Sequence, residues 1–264
     1  MAVSLGLRPT RALICDNNPH LINFYQQAGS GLTITLEMEN DSSRYYAARQ
    51  RFNMLLAANR VEGEELAMLF YYLNRTGYNG LCRFNSRGEY NVPFGKYNQI
   101  NYRRSFEEYQ PVLSKWEYVS TDFADLRLEP GDFVYCDPPY DVEFTRYTKD
   151  SFTWTDQVRL AEWLACHPGP VVASNQATPR IVQLYSDLGY QISYTSAPRR
   201  ISCSGDRSPA REIIATKNID SATRKRALSD SEPGDGFVIP PTAGRRAAIQ
   251  TIHVPTAIRI RKAA

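Results

Sequence analysis

The sequence predicts an α/β layer fold, and three observations carry that prediction. Short apolar runs alternate with stretches of helical periodicity along most of the chain. Two of those runs end abruptly at a carboxylate, Asp16 and Asp137, each followed by turn-forming residues. The 264 residues are 42% hydrophobic and 12% aromatic, enough apolar surface for one sizeable core, which excludes a wholly disordered polypeptide.

The elements follow in order. Ala12-Leu13-Ile14-Cys15 reads as a buried strand ending at Asp16. Residues 45–58 and 63–73 carry helical periodicity. Phe133-Val134-Tyr135-Cys136 is a second buried strand, terminated by Asp137-Pro138-Pro139. Thr153 or Thr155 caps a helix running to Ala165, whose apolar face holds Val158, Ala161, Trp163 and Leu164. Residues 171–174 form a third strand, 179–188 a helix, and 191–195 and 212–217 two further strands. Between about residues 74 and 104 the pattern gives way to Gly, Asn, Arg and Tyr without periodicity, as in a recognition segment.

Composition removes several function classes. No run of about eighteen apolar residues exists, and the start lacks a basic segment before an apolar one, which disfavours a membrane span or secretory signal. The five cysteines, at 15, 82, 136, 166 and 203, are odd in number and widely spaced, the pattern of reduced thiols in a cytoplasm. Three scattered histidines, 20, 167 and 253, argue against a metal centre.

Charge separates body from tail. From residue 219 onward there are eight Lys/Arg against four Asp/Glu, while the remainder holds 23 basic and 24 acidic residues. Every Trp, Tyr and Cys precedes residue 219. Residues 219–264 therefore read as a disordered basic tail, although the apolar pieces 237–239 and 249–260 could dock. Its basic clusters either add non-specific affinity for a polyanion such as nucleic acid, read as a smaller salt slope on truncation at about residue 218, or are a fusion or frameshift product with no function.

The sharpest local feature is Asp137-Pro138-Pro139-Tyr140 directly after a buried strand. Ligands of open α/β sheets bind at the carboxyl ends of strands. Neither proline carries an N–H, so this turn presents acceptors, which suits an amino group, and the aromatic can stack on a planar base. By pattern alone a rigid strand-ending turn explains the tetrapeptide as well.

A second stretch shifts that balance. Asn74-Arg75-Thr76-Gly77-Tyr78-Asn79-Gly80-Leu81-Cys82-Arg83-Phe84-Asn85, followed by Asn91-Val92-Pro93-Phe94-Gly95-Lys96-Tyr97, resembles the target-recognition segment of Dam-type DNA adenine-N6 methyltransferases. Ile14-Cys15-Asp16-Asn17-Asn18-Pro19-His20, Asn175-Gln176 and Arg199-Arg200-Ile201-Ser202 fit the same family, and the similarity spans roughly residues 3–218. It implies a Rossmann-like sheet with a recognition insert at about 45–110, and S-adenosylmethionine-dependent methylation of adenine N6 in double-stranded DNA, usually within GATC, in the cytoplasm of a bacterial or phage-infected cell. By the same resemblance Asp137, Pro138 and Tyr140 are the catalytic turn. Asp16 meets the cofactor ribose, and Asp122 and Phe123 flank its adenine beside Asp137. Arg83 reads a guanine and Tyr78 fills the space of a flipped base. Asn79, Leu81, Val92, Pro93 and Tyr97 line the groove, and Arg75, Lys96, Arg199 and Arg200 meet phosphates.

The chain departs from the family at its start. The family opens with a KWxGGK-like segment and a strand ending in an FxGxG-like loop that cradles the methionine end of the cofactor; neither is present, and residues 2–7 resemble the helix just after that loop. The resemblance thus implies a missing first strand at the sheet centre, with two buried edges left unpaired. A start upstream of Met1, a separate amino-terminal chain and a decaying fragment each account for this. The rival readings are a non-catalytic DNA-binding remnant and a methyltransferase acting on a protein glutamine or RNA; Asp at 137 and the recognition segment ahead of it disfavour the latter.

Overall fold

The strand Ala12–Asp16 (β1) carries a nearly continuous apolar run and is buried almost throughout, as a strand covered on both faces must be. The computed structural model describes residues 2–141, 152–197, 210–219 and 256–260. Beside β1 lie Glu117–Ser120 (β2), Phe133–Asp137 (β3), Val171–Gln176 (β4), Gln191–Ala197 (β5), Ala210–Lys217 (β6) and Thr256–Ile260 (β7). They form one seven-stranded sheet in the order β2-β1-β7-β3-β4-β6-β5. β1 pairs with β2 and β3 with β4 in parallel, while β6 runs antiparallel to β4 and β5, and β7 antiparallel to β1 and β3. The carboxyl ends of β1 to β5 therefore lie along a single edge, together with the starts of β6 and β7.

The helices have local causes. Ala2–Leu7 (α1) is short. Pro19–Gly29 (α2) starts where Asn18 accepts from the backbone N–H groups of His20 (3.0 Å) and Leu21 (3.3 Å), with Pro19 pre-setting the first turn. Asp41 caps Ser42–Ala57 (α3) through the N–H of Arg44 at 2.9 Å. Glu64–Thr76 (α4) has no side-chain cap but carries Glu64 and Glu65 in its first turn and Arg75 in its last, matching the helix dipole. Gln110–Leu113 (α5) is a single turn. Thr153 and Asp156 form a capping box on Trp154–Ala165 (α6), and Thr178 caps Pro179–Asp187 (α7).

Two apolar clusters anchor these layers. Val134, Cys136, Val171, Ala173, Ile213 and Ala215 pack under Leu160, Leu164, Ile181 and Tyr185 of α6 and α7. A separate cluster joins α2, α3 and α4 through Leu21, Phe52, Leu66, Phe70 and Leu73, and it extends to Tyr90 and Val92. Each fully buried side chain of this size contributes about 1.5–3 kcal/mol of transfer free energy.

The mixed α/β architecture agrees with expectation, and the structure adds elements that local periodicity did not show: α2, β2, α5 and β7. The most consequential is β7. Its residues belong to the stretch read as a tail, yet Ile258 pairs with both Ile14 and Tyr135 at the sheet centre. The two edges expected to lack a partner are bridged by this strand. The reason is the hydrogen-bonding demand of β1 and β3, whose buried backbone groups need a partner whatever the composition of the segment that supplies it. Of residues 219–264, only 219 and 256–260 are among those described.

Two predictions follow from this architecture. Ending the chain at residue 255 should open both central edges, lowering the melting midpoint by at least about 10 °C or producing aggregation seen by light scattering; a melt unchanged from the full chain would contradict the central position of β7. His20, packed against Phe52, Phe70 and Phe84 with no hydrogen-bond partner for Nδ1 among the described residues, is pushed down by burial to a pKa of about 4. The unfolded chain then binds the proton more readily between about pH 6.5 and 4, so stability is full above that window and falls by up to about 3 kcal/mol as pH drops through it. Denaturant titrations at pH 7 and 4.5 should show a steeper loss in the native chain than in His20→Leu.

Candidate active site

Asp16 ends β1 and is wholly buried. A buried carboxylate needs donors, and the backbone N–H of Asn18 supplies one at 2.8 Å from Oδ1. Across β7 at the same edge, Asp137 ends β3; two strand spacings put the two chain positions about 10 Å apart. Asp137 is half-buried, Pro138 is buried, and Pro139 and Tyr140 are half-buried.

Side chains that the sequence reading did not assign hold the turn. Ser174 on β4 donates its hydroxyl to Asp137 Oδ1 at 2.7 Å, and the Tyr135 hydroxyl lies 3.5 Å from the same Ser174 Oγ. Gln157 on α6 donates Nε2 to the Pro139 carbonyl at 2.7 Å and accepts at Oε1 from Asn175 Nδ2 at 3.0 Å. Asn175 Oδ1 in turn accepts from the backbone N–H of Asp141 at 3.1 Å. Asp141 also accepts from Thr178 Oγ1 at 2.8 Å and from the guanidinium of Arg180, whose charge stacks on Trp154. This is a buried polar network with its donors and acceptors matched, the kind that specifies one geometry. Burial, followed by the charge of Asp137, raises the Tyr140 phenol well above its ordinary range, so the ring is neutral. Its hydroxyl lies 3.5 Å from Glu212, the outer limit of a hydrogen bond.

Asp122 follows β2 and sits beside Asp16, since the N–H of Thr121 donates to the Asp16 carbonyl. Its carboxylate takes both amino groups of Arg159 at 2.8 Å each and caps Ala124 N–H; the Arg159 hydrogen bond holds it below the usual carboxylate range. Phe123 is buried beneath the Arg159 guanidinium.

The recognition stretch begins where α4 ends. Gly77 and Gly95 pack back to back: a Cβ on Gly95 would lie 2.8 Å from the Gly77 carbonyl, and one on Gly77 would lie 2.6 Å from the Leu73 carbonyl. Gly95 N–H donates to Thr76 and Tyr78 N–H to Pro93, which closes a broad loop over residues 77–95. Tyr78–Gly80 is a 3-10 turn in which Asn79 takes a positive φ of 52°. That turn lifts Tyr78 and Leu81 outward, at 52% and 43% exposure. Pro93 and Lys96 are also exposed, and Tyr97 is half-buried with its hydroxyl donating to the Gly77 carbonyl. Arg75 lies over the Tyr71 ring. Arg83 is held by Asn91, with Nε on Oδ1 at 2.8 Å and Nη2 on the carbonyl at 3.2 Å, which leaves the outer edge of the guanidinium directed away from Asn91.

One expectation needs correction. The Val92 side chain is fully buried in the aromatic cluster, so it belongs to the core and does not line a groove. Its carbonyl accepts from Tyr45 at 2.8 Å and Arg49 at 3.0 Å, while Asn53 grips both the N–H and the carbonyl of Tyr90. Tyr45, Arg49 and Asn53 form a stripe at i, i+4 and i+8 on α3, a spacing visible in sequence. Arg199 and Arg200 lie outside the described residues. No group of His, Cys, Asp and Glu among the described residues could hold a metal ion, and none of their helices is long and apolar enough to cross a membrane.

The edge thus brings Asp16, Asp122 and the Asp137 turn together, with a loop over residues 78–83, exposed at Tyr78 and Leu81, carried on α3 and α4. Comparison with known proteins supplies the family. Residues 1–201 match the family of D12 class N6 adenine-specific DNA methyltransferases. The chain is 35% identical over 217 residues to the retron Ec67 DNA adenine methylase of Escherichia coli, covering 77% of this chain and 74% of that protein. It is 31% identical over 245 residues to the DNA adenine methylase of Salmonella typhi, covering 85% and 86% respectively. Against the DNA N-6-adenine-methyltransferase of Escherichia phage P1 it is 33% identical over 221 residues, 76% of this chain but 29% of the phage protein. A sheet edge with a proline-stiffened acceptor turn, an aromatic–arginine platform beside it and a family match over three quarters of the length converge: the chain belongs to the D12 class of N6 adenine-specific DNA methyltransferases.

Proposed function

We propose that this chain methylates adenine N6 within GATC in double-stranded DNA, acting on a base turned out of the helix, with S-adenosylmethionine as the methyl donor. The observation that carries the reading is the Asp137–Tyr140 turn at the sheet edge beside Asp16, its carboxylate already oriented by Ser174. Adenine N6 is a poor nucleophile because its lone pair is delocalised into the ring. Asp137 and the Pro138 carbonyl accept the two N6 hydrogens and turn that lone pair out of conjugation, while Tyr140 offers a neutral ring to stack the base. Tyr78 takes the vacated place in the duplex, and the outer edge of Arg83 meets a guanine. Arg75 and Lys96 contribute through phosphates, as Arg199 and Arg200 would.

The residues present fit one end of the cofactor. Asp16 stands at a strand end, where an acid meets the ribose in dinucleotide folds, with Oδ1 already oriented by the Asn18 N–H. When bound, the cofactor supplies an electrophilic methyl group. For its methionine end no glycine-rich strand-to-helix loop is present among the described residues, because the strand between β1 and β3 runs the opposite way and leads away from this edge. That observation favours a second reading, a DNA-binding protein of the family without catalysis.

Calorimetric titration of S-adenosylmethionine, alone and with a GATC duplex, separates the readings: micromolar binding supports the enzyme, and absence of binding in a folded chain supports the second. In an active preparation, Asp137→Ala should lower methylation of the duplex at least about 100-fold with DNA affinity retained; unchanged methylation would refute the role of the turn. Arg83→Ala should reduce discrimination at one base pair by about 1–3 kcal/mol, read from competition between cognate and single-mismatch duplexes. An equal loss on all sequences would assign Arg83 to phosphate contact instead.

A further inference from the structure

The turn has more acceptors than an amino group can use, and the surrounding side chains reduce the number. Asp137 offers two carboxylate oxygens, and Pro138 and Pro139 offer two carbonyls, with no N–H from either proline. Asp137 Oδ1 accepts from Ser174, and the Pro139 carbonyl accepts from Gln157. Gln157 and Asn175 are almost wholly buried, and Gln157 cannot turn its amide around without breaking both of its bonds, since Asn175 fixes its oxygen and the Pro139 carbonyl fixes its nitrogen. Asn175 is anchored by the backbone of Asp141 and Gln176. Asp137 Oδ1 and the Pro139 oxygen each keep a second lone pair but have their direction set by the donor, whereas no described side chain donates to Asp137 Oδ2 or the Pro138 carbonyl, which makes this pair the least engaged acceptors for the two hydrogens of an exocyclic amine.

We propose that Ser174 and Gln157 are positioning residues for methyl transfer, which occupy Asp137 Oδ1 and the Pro139 carbonyl so that the amine finds one acceptor pair and one orientation. Neither residue touches the base. Their removal leaves the acceptors in place but lets the amine bond in nonproductive alternatives, Oδ1 in place of Oδ2 or Pro139 in place of Pro138. The consequence falls on the rate of the transfer step and not on duplex affinity, because the recognition platform is carried on other elements. The proposal rests on the reading of Asp137 as an acceptor of the N6 hydrogen.

The test is single-turnover methylation of a GATC duplex at saturating cofactor, with duplex affinity and thermal melts measured on the same full-length preparations. Ser174→Ala and Gln157→Met should each slow the transfer about 10- to 100-fold with duplex affinity changed less than about 3-fold, and Ser174→Thr, which keeps the hydroxyl donor, should recover the rate to within about 3-fold. If Gln157→Met melts early, the Ser174 pair carries the test. Asp137→Ala separates this inference from the reading beneath it. If Asp137→Ala is inactive while Ser174→Ala and Gln157→Met methylate at the native rate, the positioning role is wrong and the catalytic turn stands. If Asp137→Ala remains active, the reading itself fails and this inference with it. A loss in Ser174→Ala that tracks weakened duplex binding, unrescued by Thr, would overturn the proposal in favour of a structural role.

Discussion

The backbone hydrogen-bonding demand at the sheet centre is the constraint on which the remaining geometry depends. β1 and β3 both deliver a carboxylate to the same edge, but they are not neighbours, and a strand must stand between them. β7 supplies it, with Ala257 opposite both Cys15 and Cys136 and Thr256 opposite Asp137. The spacing of Asp16 and Asp137 is thereby held by hydrogen bonds from a segment that follows them by more than a hundred residues. Because β7 runs antiparallel, its starting end and not its finishing end lies at the edge that carries Asp16 and Asp137. One strand thus closes the sheet and also alters what the edge can offer a cofactor.

The loop over residues 77–95 relies on a different kind of support. Its loop has few ladder bonds of its own, with isolated bridges at Gly77–Phe94 and Phe84–Tyr90. Rigidity comes from below, where Tyr45, Arg49 and Asn53 of α3 bind the main chain of Tyr90 and Val92, and where the Tyr90 and Val92 side chains enter the helical core. Burial of Gly77, Gly80, Val92 and Gly95 leaves Tyr78, Leu81, Pro93 and Lys96 outward on a fixed base. A loop built this way can present an aromatic and a guanidinium at defined places without being part of a sheet.

The Asp137–Tyr140 turn is supported by a third arrangement, a buried polar network instead of apolar packing. Gln157, Asn175 and Asp141 come from α6, β4 and the turn itself, and each amide or carboxylate has its partners within the network or from Thr178 and Arg180. Such a network contributes geometry more than stability, since its groups exchange bonds with water for bonds with one another. It also couples α6 and α7 to the turn, so the helices flanking the sheet have a part in aiming Asp137.

Much of this was legible in the sequence alone. The strands ending at Asp16 and Asp137, the helix capped at Thr153 or Thr155, the acceptor character of a double-proline turn and the aperiodic stretch after α4 are local properties, readable because periodicity, caps and proline act over a few residues. Tertiary structure decided what depends on pairing between distant segments. Composition marks residues 256–260 as tail, and only the unmet backbone groups of β1 and β3 make them a central strand. Val92 looks like a surface residue in a polar loop until α3 and α4 enclose it. Ser174, Gln157 and Asn91 are ordinary polar residues by composition; each acquires its role from a partner that folding brings within 3 Å, Asp137, Pro139 or Arg83, and a hydrogen bond of that length has no trace in a linear pattern.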